Sequence, residues 1–328
     1  MKKLILIFLL IGLNANSQSL RLLRRLAENQ SVKSITLSTT STSSTWSPTS
    51  VINGGSTLTW DVTGGFVGSQ TADDPTFNLS TNSGTADMNI YDVIGVTTFN
   101  VNNLSITSLD VSEALNLDTF NCQDNNITSL NVNGANSITD LRCLGNSNLA
   151  TLDVSANVNL TLLYTQNCNL SSLNVSTNTS LTDLRLDGNS ITSLDVTSNT
   201  SLITLQCHNN SLTSLDVTGL TSLITFTTNS NASLTSITGL SSATALVTLW
   251  VHDTGLSTLD VSPFTSLTVL DCEGNSFSAT VTNQILADLV ANNQSNGTLD
   301  YRNNETGQGV TDRATLITRG WTITNYGS

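Results

Sequence analysis

A repeat of 21 or 22 residues runs through the middle of this 328-residue chain. The motif (I/L)-T-S-L-(D/N)-V, with variation, begins at Ile106, Ile127, Leu149, Leu170, Ile191, Leu212, Leu234 and Leu256. A second motif, L-x-x-L-x-(C/L/V/T)-x-x-N, begins between them at Leu117, Ile138, Leu160, Leu181, Leu202, Leu223, Leu246 and Leu267. One unit is too short to bury its own leucines, so each must cover its neighbour's apolar edge. The spacing therefore predicts a solenoid.

The second motif predicts a short strand in every repeat, because alternate residues of the motif point inward. Stacked repeats make these strands parallel, so they form one sheet along a side of the solenoid. An Asn follows several of the strands, where its side chain can bond backbone groups of the neighbouring repeat. These residues are Asn125, Asn146, Asn189, Asn210 and Asn275.

The repeats resemble the leucine-rich-repeat family, in particular the internalin-like, short-repeat class of secreted bacterial proteins. LTDLRLDGNSITSLDV (181–196) and LITLQCHNNSLTSLDV (202–217) carry the resemblance, which covers residues 96–277. It implies a leucine-rich-repeat solenoid with a parallel β-sheet on the concave face, acting as a non-enzymatic scaffold that binds a protein or glycan at a cell surface. The chain departs from internalins in its TSLDV motif, which is β-like where they carry a helical turn.

The first residues predict secretion. Two lysines precede an apolar run at 4–13, and Ala15-Asn16-Ser17 fits a cleavage box before Gln18. The run is about ten residues, short of the ~20 that span a membrane. We therefore expect a signal peptide at 1–17, a secreted, extracellular or cell-surface protein, and no membrane span after cleavage. Residues 18–33 predict a short leader helix.

The solenoid needs a cap at each end, because bare ends expose core. Strand-like pieces at 34–38, 56–65, 75–80 and 84–91 predict a β-rich N-terminal cap over 34–95. Beyond the repeats at 96–277, residues 278–328 predict a small α+β C-terminal cap. Its expected elements are helices at 281–293 and 310–320 and strands at 297–301 and 321–325.

The composition argues against nucleic acid as a partner. The net charge is −13, and charged residues make up only 11% of the chain. Phosphate backbones require a cationic surface, which a chain of this charge does not supply. We expect a monomer.

The rare side-chain types of the repeats fall at equivalent positions. Between residues 96 and 277 the chain has two basic residues, Arg142 and Arg185, one Tyr, Tyr164, and one Trp, Trp250. These four, with the only two His residues, occupy the fifth or seventh position of the strand motif, which predicts one solvent-facing surface. Arg, Tyr and Trp dominate binding hot spots. The predicted concave ligand site is Asp140, Arg142, Tyr164, Asp183, Arg185, Asp187, Gln206, His208, Trp250 and His252. The alternative is that Asp140–Arg142 and Asp183–Arg185 are merely surface salt bridges.

No metal, cofactor or catalytic residue is expected. His208 and His252 lie two strands apart, about 10 Å, too far to share one zinc ion. Asp183 and Asp187 form the best carboxylate pair for glycoside hydrolysis, but Arg185 between them indicates a salt-bridge cluster. A flat sheet also lacks the pocket that catalysis normally uses. We therefore expect a binding scaffold rather than an enzyme. A structural or adhesive surface spacer is the alternative, and a glycan-active enzyme ranks third.

Two further rows recur through the repeats. Cys122, Cys143, Cys207 and Cys272 occupy the core-facing sixth strand position, where other repeats have Thr, Leu or Val, so we expect reduced, buried thiols. Cys168 stands at a turn Asn position. An Asp/Asn row follows TSL, where the side chains either bind Ca²⁺ or, as we favour, cap local turn amides. That row is Asp110, Asn131, Asp153, Asn174, Asp195, Asp216 and Asp260.

Overall fold

The computed structural model describes residues 34–39, 50–52, 59–62, 68–71, 86–91, 96–302 and 304–326. The predicted signal peptide, the leader helix and the strand-like piece at 75–80 lie outside the described residues. Side chains are described from 96 to 301 and from 304 to 324.

A long sheet of 12 strands runs the length of the repeats. Its strands, in spatial order, are β2 (Ser50–Ile52), β6 (Thr98–Asn100), β8 (Thr119–Asn121), β10 (Asp140–Arg142), β11 (Leu162–Tyr164), β12 (Asp183–Arg185), β13 (Thr204–Gln206), β15 (Thr225–Thr227), β17 (Thr248–Trp250), β18 (Val269–Asp271), β19 (Thr298–Arg302) and β20 (Thr322–Tyr326). β2 is antiparallel to β6, and every other neighbouring pair is parallel. The repeats pair in strict register, so equivalent residues lie side by side.

The core lies directly behind this sheet. The middle residue of each repeat strand is fully or almost fully buried, as at Leu163, Leu184 and Leu205. Phe99 and Phe120 stack at the N-terminal end with ring centroids 6.0 Å apart. Burying one such side chain contributes about 1.5–3 kcal/mol, and every repeat contributes several.

The TSLDV motif forms regular strands in only some repeats. These strands are β7 (Ile106–Asp110), β9 (Ser129–Asn131), β14 (Ser214–Asp216) and β16 (Ser236–Thr238). β14 and β16 form a two-stranded parallel sheet, and Asp195 adds a single bridge to Asp216. Elsewhere in the described repeats the motif keeps its inward leucine and valine without a regular ladder.

The N-terminal strands cover two exposed edges of the solenoid. β1 (Ser34–Thr39), β3 (Thr59–Val62), β4 (Gly68–Thr71) and β5 (Ala86–Tyr91) join β7 and β9 in a six-stranded sheet of order β4-β3-β5-β1-β7-β9. β1 pairs antiparallel with β7, and β2 pairs antiparallel with β6. Both pairings form hydrogen bonds with backbone groups at the edges of β6 and β7, which would otherwise be free to pair with a strand of another chain.

The C-terminal segment continues the long sheet. Helix α1 (Ala279–Ala291) connects β18 to β19, and helix α2 (Gln308–Thr318) connects β19 to β20. The observed elements lie within two residues of the predicted ones. Ser278 accepts a hydrogen bond from Val281 N as N-cap, which is why α1 begins before the apolar pattern does. Crossover helices return the chain to a parallel neighbour, so the predicted α+β elements extend the solenoid by two strands.

The turn after each strand is fixed by a ladder of side chains, as the sequence predicts. Asn146 is representative: its amide nitrogen donates to Cys122 O at 3.1 Å and Cys143 O at 2.7 Å, and its oxygen accepts from Ile127 N at 3.1 Å. Cys168 replaces Asn in one repeat and points its Sγ at Cys143 O, 3.3 Å away. The ladder joins each repeat to the one before it.

A second, buried Asn ladder is a feature that our sequence analysis missed. The fully buried Asn157, Asn178 and Asn199 each donate to backbone carbonyls of the preceding repeat. The available signal was an Asn three residues before Leu160, Leu181 and Leu202.

Candidate binding face on the long sheet

The solvent-facing side of the long sheet carries three rows of side chains, which we call the concave face. The rows are the third, fifth and seventh positions of the strand motif. In the fifth row, register places Arg142 beside Tyr164, Tyr164 beside Arg185, and Arg185 beside Gln206. The structure therefore puts these predicted site residues on one surface.

Tyr164 lies between two arginines. The guanidinium carbon of Arg142 is 5.2 Å from the Tyr164 ring centroid, and that of Arg185 is 4.7 Å from it on the neighbouring strand. Both distances are within the range of cation–π attraction. The stack forms because parallel register brings the fifth residues of β10, β11 and β12 side by side.

Each arginine is also held by the aspartate two residues before it. Arg142 Nε and Nη2 donate to Asp140 at 2.8 and 2.7 Å. Arg185 Nε and Nη2 donate to Asp183 at 2.9 and 2.8 Å. The predicted salt bridges are thus present, in bidentate geometry that fixes each guanidinium plane.

The hydroxyl of Tyr164 joins the same network. Its Oη donates to Asp183 Oδ2 at 2.7 Å. Burial raises the pKa of Tyr164 to about 12, and the hydrogen bond to Asp183 adds to the shift. We call Asp140, Arg142, Tyr164, Asp183 and Arg185 the Arg–Tyr–Arg stack. It is a rigid, half-buried platform that combines cationic and aromatic surface.

A second group lies in the seventh row. His208 Nε2 is 3.6 Å from Asp187 Oδ2, and His208 Nδ1 is 3.1 Å from Thr227 Oγ1. Burial raises the pKa of Asp187, and His208 opposes the shift. Gln206 is half-buried beside Arg185 and Thr227 in the fifth row. This group adjoins the Arg–Tyr–Arg stack.

Trp250 stands further along the sheet, two strands beyond Gln206. It is 40% exposed, the most exposed aromatic ring of the repeats. Its register neighbours are Thr227 and Asp271. The predicted site residues therefore form two regions on one face, separated by the polar strand β15.

His252 belongs to a cluster that the sequence analysis did not include. His252 Nδ1 is 3.0 Å from Asp253 Oδ2, and its Nε2 is 3.7 Å from Asp271 Oδ2. Burial raises the pKa of Asp271 to about 6, and burial also raises that of Glu273. Asp271 and Glu273 occupy the fifth and seventh positions of their strand motif, so they continue the rows of Trp250 and His252. From the sequence, the two histidines were compared with each other, and His252 was not compared with the acidic residues of the adjacent strand.

A groove of about 750 Å³ lies away from the predicted site. It is bordered by the TSLDV residues Ile237 and Leu259, by the short turn at Leu240, and by Val281 and Asp288 of α1. None of the predicted concave residues borders it. The concave face is an open surface, and its residues form contact platforms on it.

All five cysteines are free and buried. Burial raises the pKa of Cys122 and Cys272, and raises that of Cys207 to about 12. These thiols serve as core side chains, which agrees with the expected reduced state.

The Asp/Asn row after TSL caps local turns, as we favour from the sequence. Each side-chain oxygen accepts from the backbone nitrogen two residues later, at 2.8–3.1 Å, in all seven repeats of the row. The Ser or Thr two residues later donates hydrogen bonds from its hydroxyl and its backbone nitrogen, and these bonds lower the pKa of Asp153, Asp195 and Asp216.

Solved structures of leucine-rich-repeat proteins resemble the chain, including one from Listeria monocytogenes and one from Leptospira interrogans. The functional domain of InlJ from Listeria monocytogenes, which includes a cysteine ladder, is 28% identical at a TM-score of 0.51, over 63% of this chain and 50% of that one. A leucine-rich-repeat protein of Leptospira interrogans is 23% identical at a TM-score of 0.51, over 55% of this chain and 49% of that one. The chain thus spans about half the length of each. No protein-family profile and no curated protein matches it.

These likenesses and the long parallel sheet define the class of fold. The repeats form a leucine-rich-repeat solenoid with a parallel β-sheet on its concave face, which confirms the predicted fold. Solenoids of this class commonly act as protein-binding scaffolds through that face. Among the described residues, no helix is long and apolar enough to cross a membrane.

Proposed function

We propose that the chain is a secreted or surface-exposed, non-enzymatic scaffold that binds a protein or glycan through its concave face. The carrying observation is the Arg–Tyr–Arg stack. It presents a tyrosine ring and two guanidinium groups that are already held in place by bidentate carboxylates. Preorganised aromatic and arginine side chains lose little freedom on binding, which favours affinity.

The distribution of side chains supports the same proposal. The repeats place their only Tyr, their only Trp and both arginines on one face of the long sheet. An exposed Trp250 contributes nothing to the core, so its position has a better explanation in recognition than in folding. The other faces carry mainly Ser, Thr and Asn.

Localisation and domain boundaries form part of the proposal. The signal-like residues 1–17 would direct secretion, and the mature monomer would comprise the leader helix 18–33, the cap 34–95, the repeats 96–277 and the cap 278–328. The internalin-like repeats favour a position at a bacterial cell surface. The five free thiols are compatible with export because burial protects them from oxidation.

The alternative is a structural or adhesive spacer without a dedicated ligand site. The bidentate salt bridges favour it, since they would also form on a face with no partner. A glycan-active enzyme ranks third, because Asp183 is committed to Arg185 and Tyr164 and no acid–base pair flanks a cleft there.

Arrays of glycans and cell-surface proteins, probed with residues 18–328, test the proposal. The test variant combines Arg142→Ala, Tyr164→Ala, Arg185→Ala and Trp250→Ala. Its matched control replaces three exposed hydroxyl residues of the TSLDV face, Ser171, Thr192 and Thr213, with Ala. We expect the control to bind the same ligands as the parent. The affinity of the test variant for these ligands should fall by about 100-fold or more, because several hot-spot residues are removed.

Melting temperatures distinguish lost binding from lost folding. The truncated side chains lie outside the core, so we expect the melting temperature of the test variant to stay within about 3 °C of the parent. Equal binding by both variants would place the site off the concave face. Absence of any ligand on the arrays would favour the spacer.

A further inference from the structure

One cluster on the concave face has the composition and geometry of a metal site. His252 follows strand β17, Asp271 ends the adjacent strand β18, and Glu273 lies two residues further along. Parallel register places Trp250 beside Asp271, which brings His252 beside Glu273 in the next row. One nitrogen of His252 and one carboxylate oxygen from each acid all lie within 4.8 Å of one another. Three side chains from two neighbouring repeats thus converge on one point.

The imidazole of His252 is oriented for ligation. Asp253 accepts from Nδ1 at 3.0 Å, so the neutral ring keeps its lone pair on Nε2. That nitrogen faces Asp271 Oδ2 at 3.7 Å, too long for a hydrogen bond. Two ligands of a tetrahedral zinc ion, each about 2.1 Å from the metal, are separated by roughly 3.4 Å. In metal sites, the ring nitrogen that does not bind the metal commonly donates to a carboxylate, which orients the histidine. Asp253 has this position relative to His252.

The cluster also brings more carboxylates together than its one imidazole, His252, can offset. Asp271 Oδ1 is a buried oxygen without a hydrogen-bond partner in the described part of the chain. Asp300 is the register neighbour of Asp271 on β19, so a further carboxylate lies beside the first. Both Asp300 and Glu273 repel the charge of Asp271. A cation seated between the three ligands would relieve this repulsion and satisfy the orphaned oxygen.

We propose that His252, Asp271 and Glu273 bind one divalent transition-metal ion of the zinc class. The ligand types decide the class: Ca²⁺ and Mg²⁺ take oxygen ligands, whereas an imidazole nitrogen suits first-row transition metals. Three protein ligands leave at least one coordination position open to water or to a donor atom from outside. The site is separate from His208, which lies 3.6 Å from Asp187 but belongs to no group of three such ligands among the residues that the structure describes.

Isothermal titration of the untagged, chelator-stripped full chain with ZnCl₂ tests the proposal. We expect one equivalent of zinc bound with a dissociation constant below about 100 µM. His252→Gln and Glu273→Gln should weaken binding by at least about tenfold, and Asp253→Asn should weaken it by about tenfold through the orientation of His252. His208→Gln is the matched control and should bind as the parent does. A millimolar concentration of CaCl₂ should not compete.

Two results would overturn the proposal. The first is the absence of measurable zinc binding by the parent chain. The second is binding that His252→Gln and Glu273→Gln leave unchanged, which would place the ion on thiols or scattered carboxylates. Because His252 and Glu273 lie on the concave face outside the core, circular dichroism spectra should coincide for the parent and these two variants. The zinc titration needs no protein or glycan ligand and the array test needs no metal ion, so failure of one proposal can be told apart from failure of the other.

Discussion

The hydroxyl of Tyr164 and a guanidinium nitrogen of Arg185 donate to the same oxygen, Asp183 Oδ2, at 2.7 and 2.8 Å. One carboxylate therefore fixes both the tyrosine ring and the arginine that stacks on it. Asp183 acts as the positioning residue of the Arg–Tyr–Arg stack, and its removal should loosen two binding side chains together.

The proton of Tyr164 should be held to unusually high pH. Its pKa is raised from 10.0 to about 12 by burial and by the bond to Asp183. The chain has four tyrosines, and subtracting the ultraviolet titration curve of Tyr164→Phe from that of the parent isolates Tyr164. The difference curve should have its midpoint near pH 12. Asp183→Asn should move the midpoint down. A difference curve centred at pH 10 would show that the hydroxyl is free in solution.

The same shift sets a pH dependence of stability. The folded state retains this proton to higher pH than the unfolded state, so ionisation favours unfolding. The contribution of Tyr164 is complete below pH 10 and is lost as the pH rises through about 12. Urea unfolding between pH 9 and 12 should therefore show a smaller loss of stability in Tyr164→Phe than in the parent.

Removing one member of the turn ladder should destabilise the solenoid. Asn146→Ala leaves two buried carbonyls and one backbone nitrogen without their present partner. At about 1 kcal/mol for each lost bond, we expect the free energy of unfolding to fall by about 3 kcal/mol. Asn136→Ala, at an exposed position of the same repeat, is the control and should change it by less than about 0.5 kcal/mol. Equal losses in urea unfolding would contradict a structural role for the ladder.

Two glycines of neighbouring repeats should differ in their tolerance of a methyl group. Gly219 lies three residues after β14 and Gly239 directly follows β16, and both have a positive φ, of 83° and 73°. A Cβ on Gly239 would lie 2.5 Å from Thr218 N, whereas a Cβ on Gly219 meets nothing closer than Thr200 Cγ2 at 3.9 Å. Both Ala variants share the backbone strain of about 1–2 kcal/mol. Overlap of the added methyl group should lower the free energy of unfolding of Gly239→Ala by roughly a further 1–3 kcal/mol. Equal melting temperatures of the two Ala variants would show that this overlap does not occur.

The cysteines should react with thiol reagents in a defined order. Cys168 retains 8% exposure, and the hydrogen bond to Cys143 lowers its pKa. Cys122 and Cys207 are fully buried, and burial raises the pKa of each. Alkylation of the native chain at pH 8, followed by peptide mass spectrometry, should label Cys168 first and the other two only after denaturation. Early labelling of Cys207 would contradict the buried sixth row.

The repeats could be predicted well from the sequence because the same residue pattern occurs in every repeat. The register of the long sheet, the turn ladder and the position of Trp250 all follow from the position of a residue within the motif. The N-terminal strands β2 and β4 were missed, since no repeat supports them and short edge strands depend on the partner that they cover. The TSLDV strands were less regular than expected, because an apolar alternation fixes which residues point inward but not whether neighbouring backbones approach closely enough to pair.

The contacts between side chains of different repeats were harder to predict. Position within the motif placed Arg142, Tyr164 and Arg185 on one face, but not the shared use of Asp183. Likewise, the separation of His208 and His252 excluded a metal shared by the two, and drew attention away from Asp271 and Glu273 on the adjacent strand. The two histidines were compared with each other, and the carboxylates beside His252 were therefore overlooked as further ligands.

The in-register strands make the spacing between recognition groups a countable quantity. The Arg–Tyr–Arg stack ends on β12 and Trp250 stands on β17, with β13 and β15 between them. Three steps of ~4.8 Å separate Arg185 from Trp250. Gain or loss of one whole repeat between them would lengthen or shorten this gap by one step while leaving each group internally intact. Gene duplication within the repeats could thus retune which ligand dimensions the surface accommodates without redesigning a single contact.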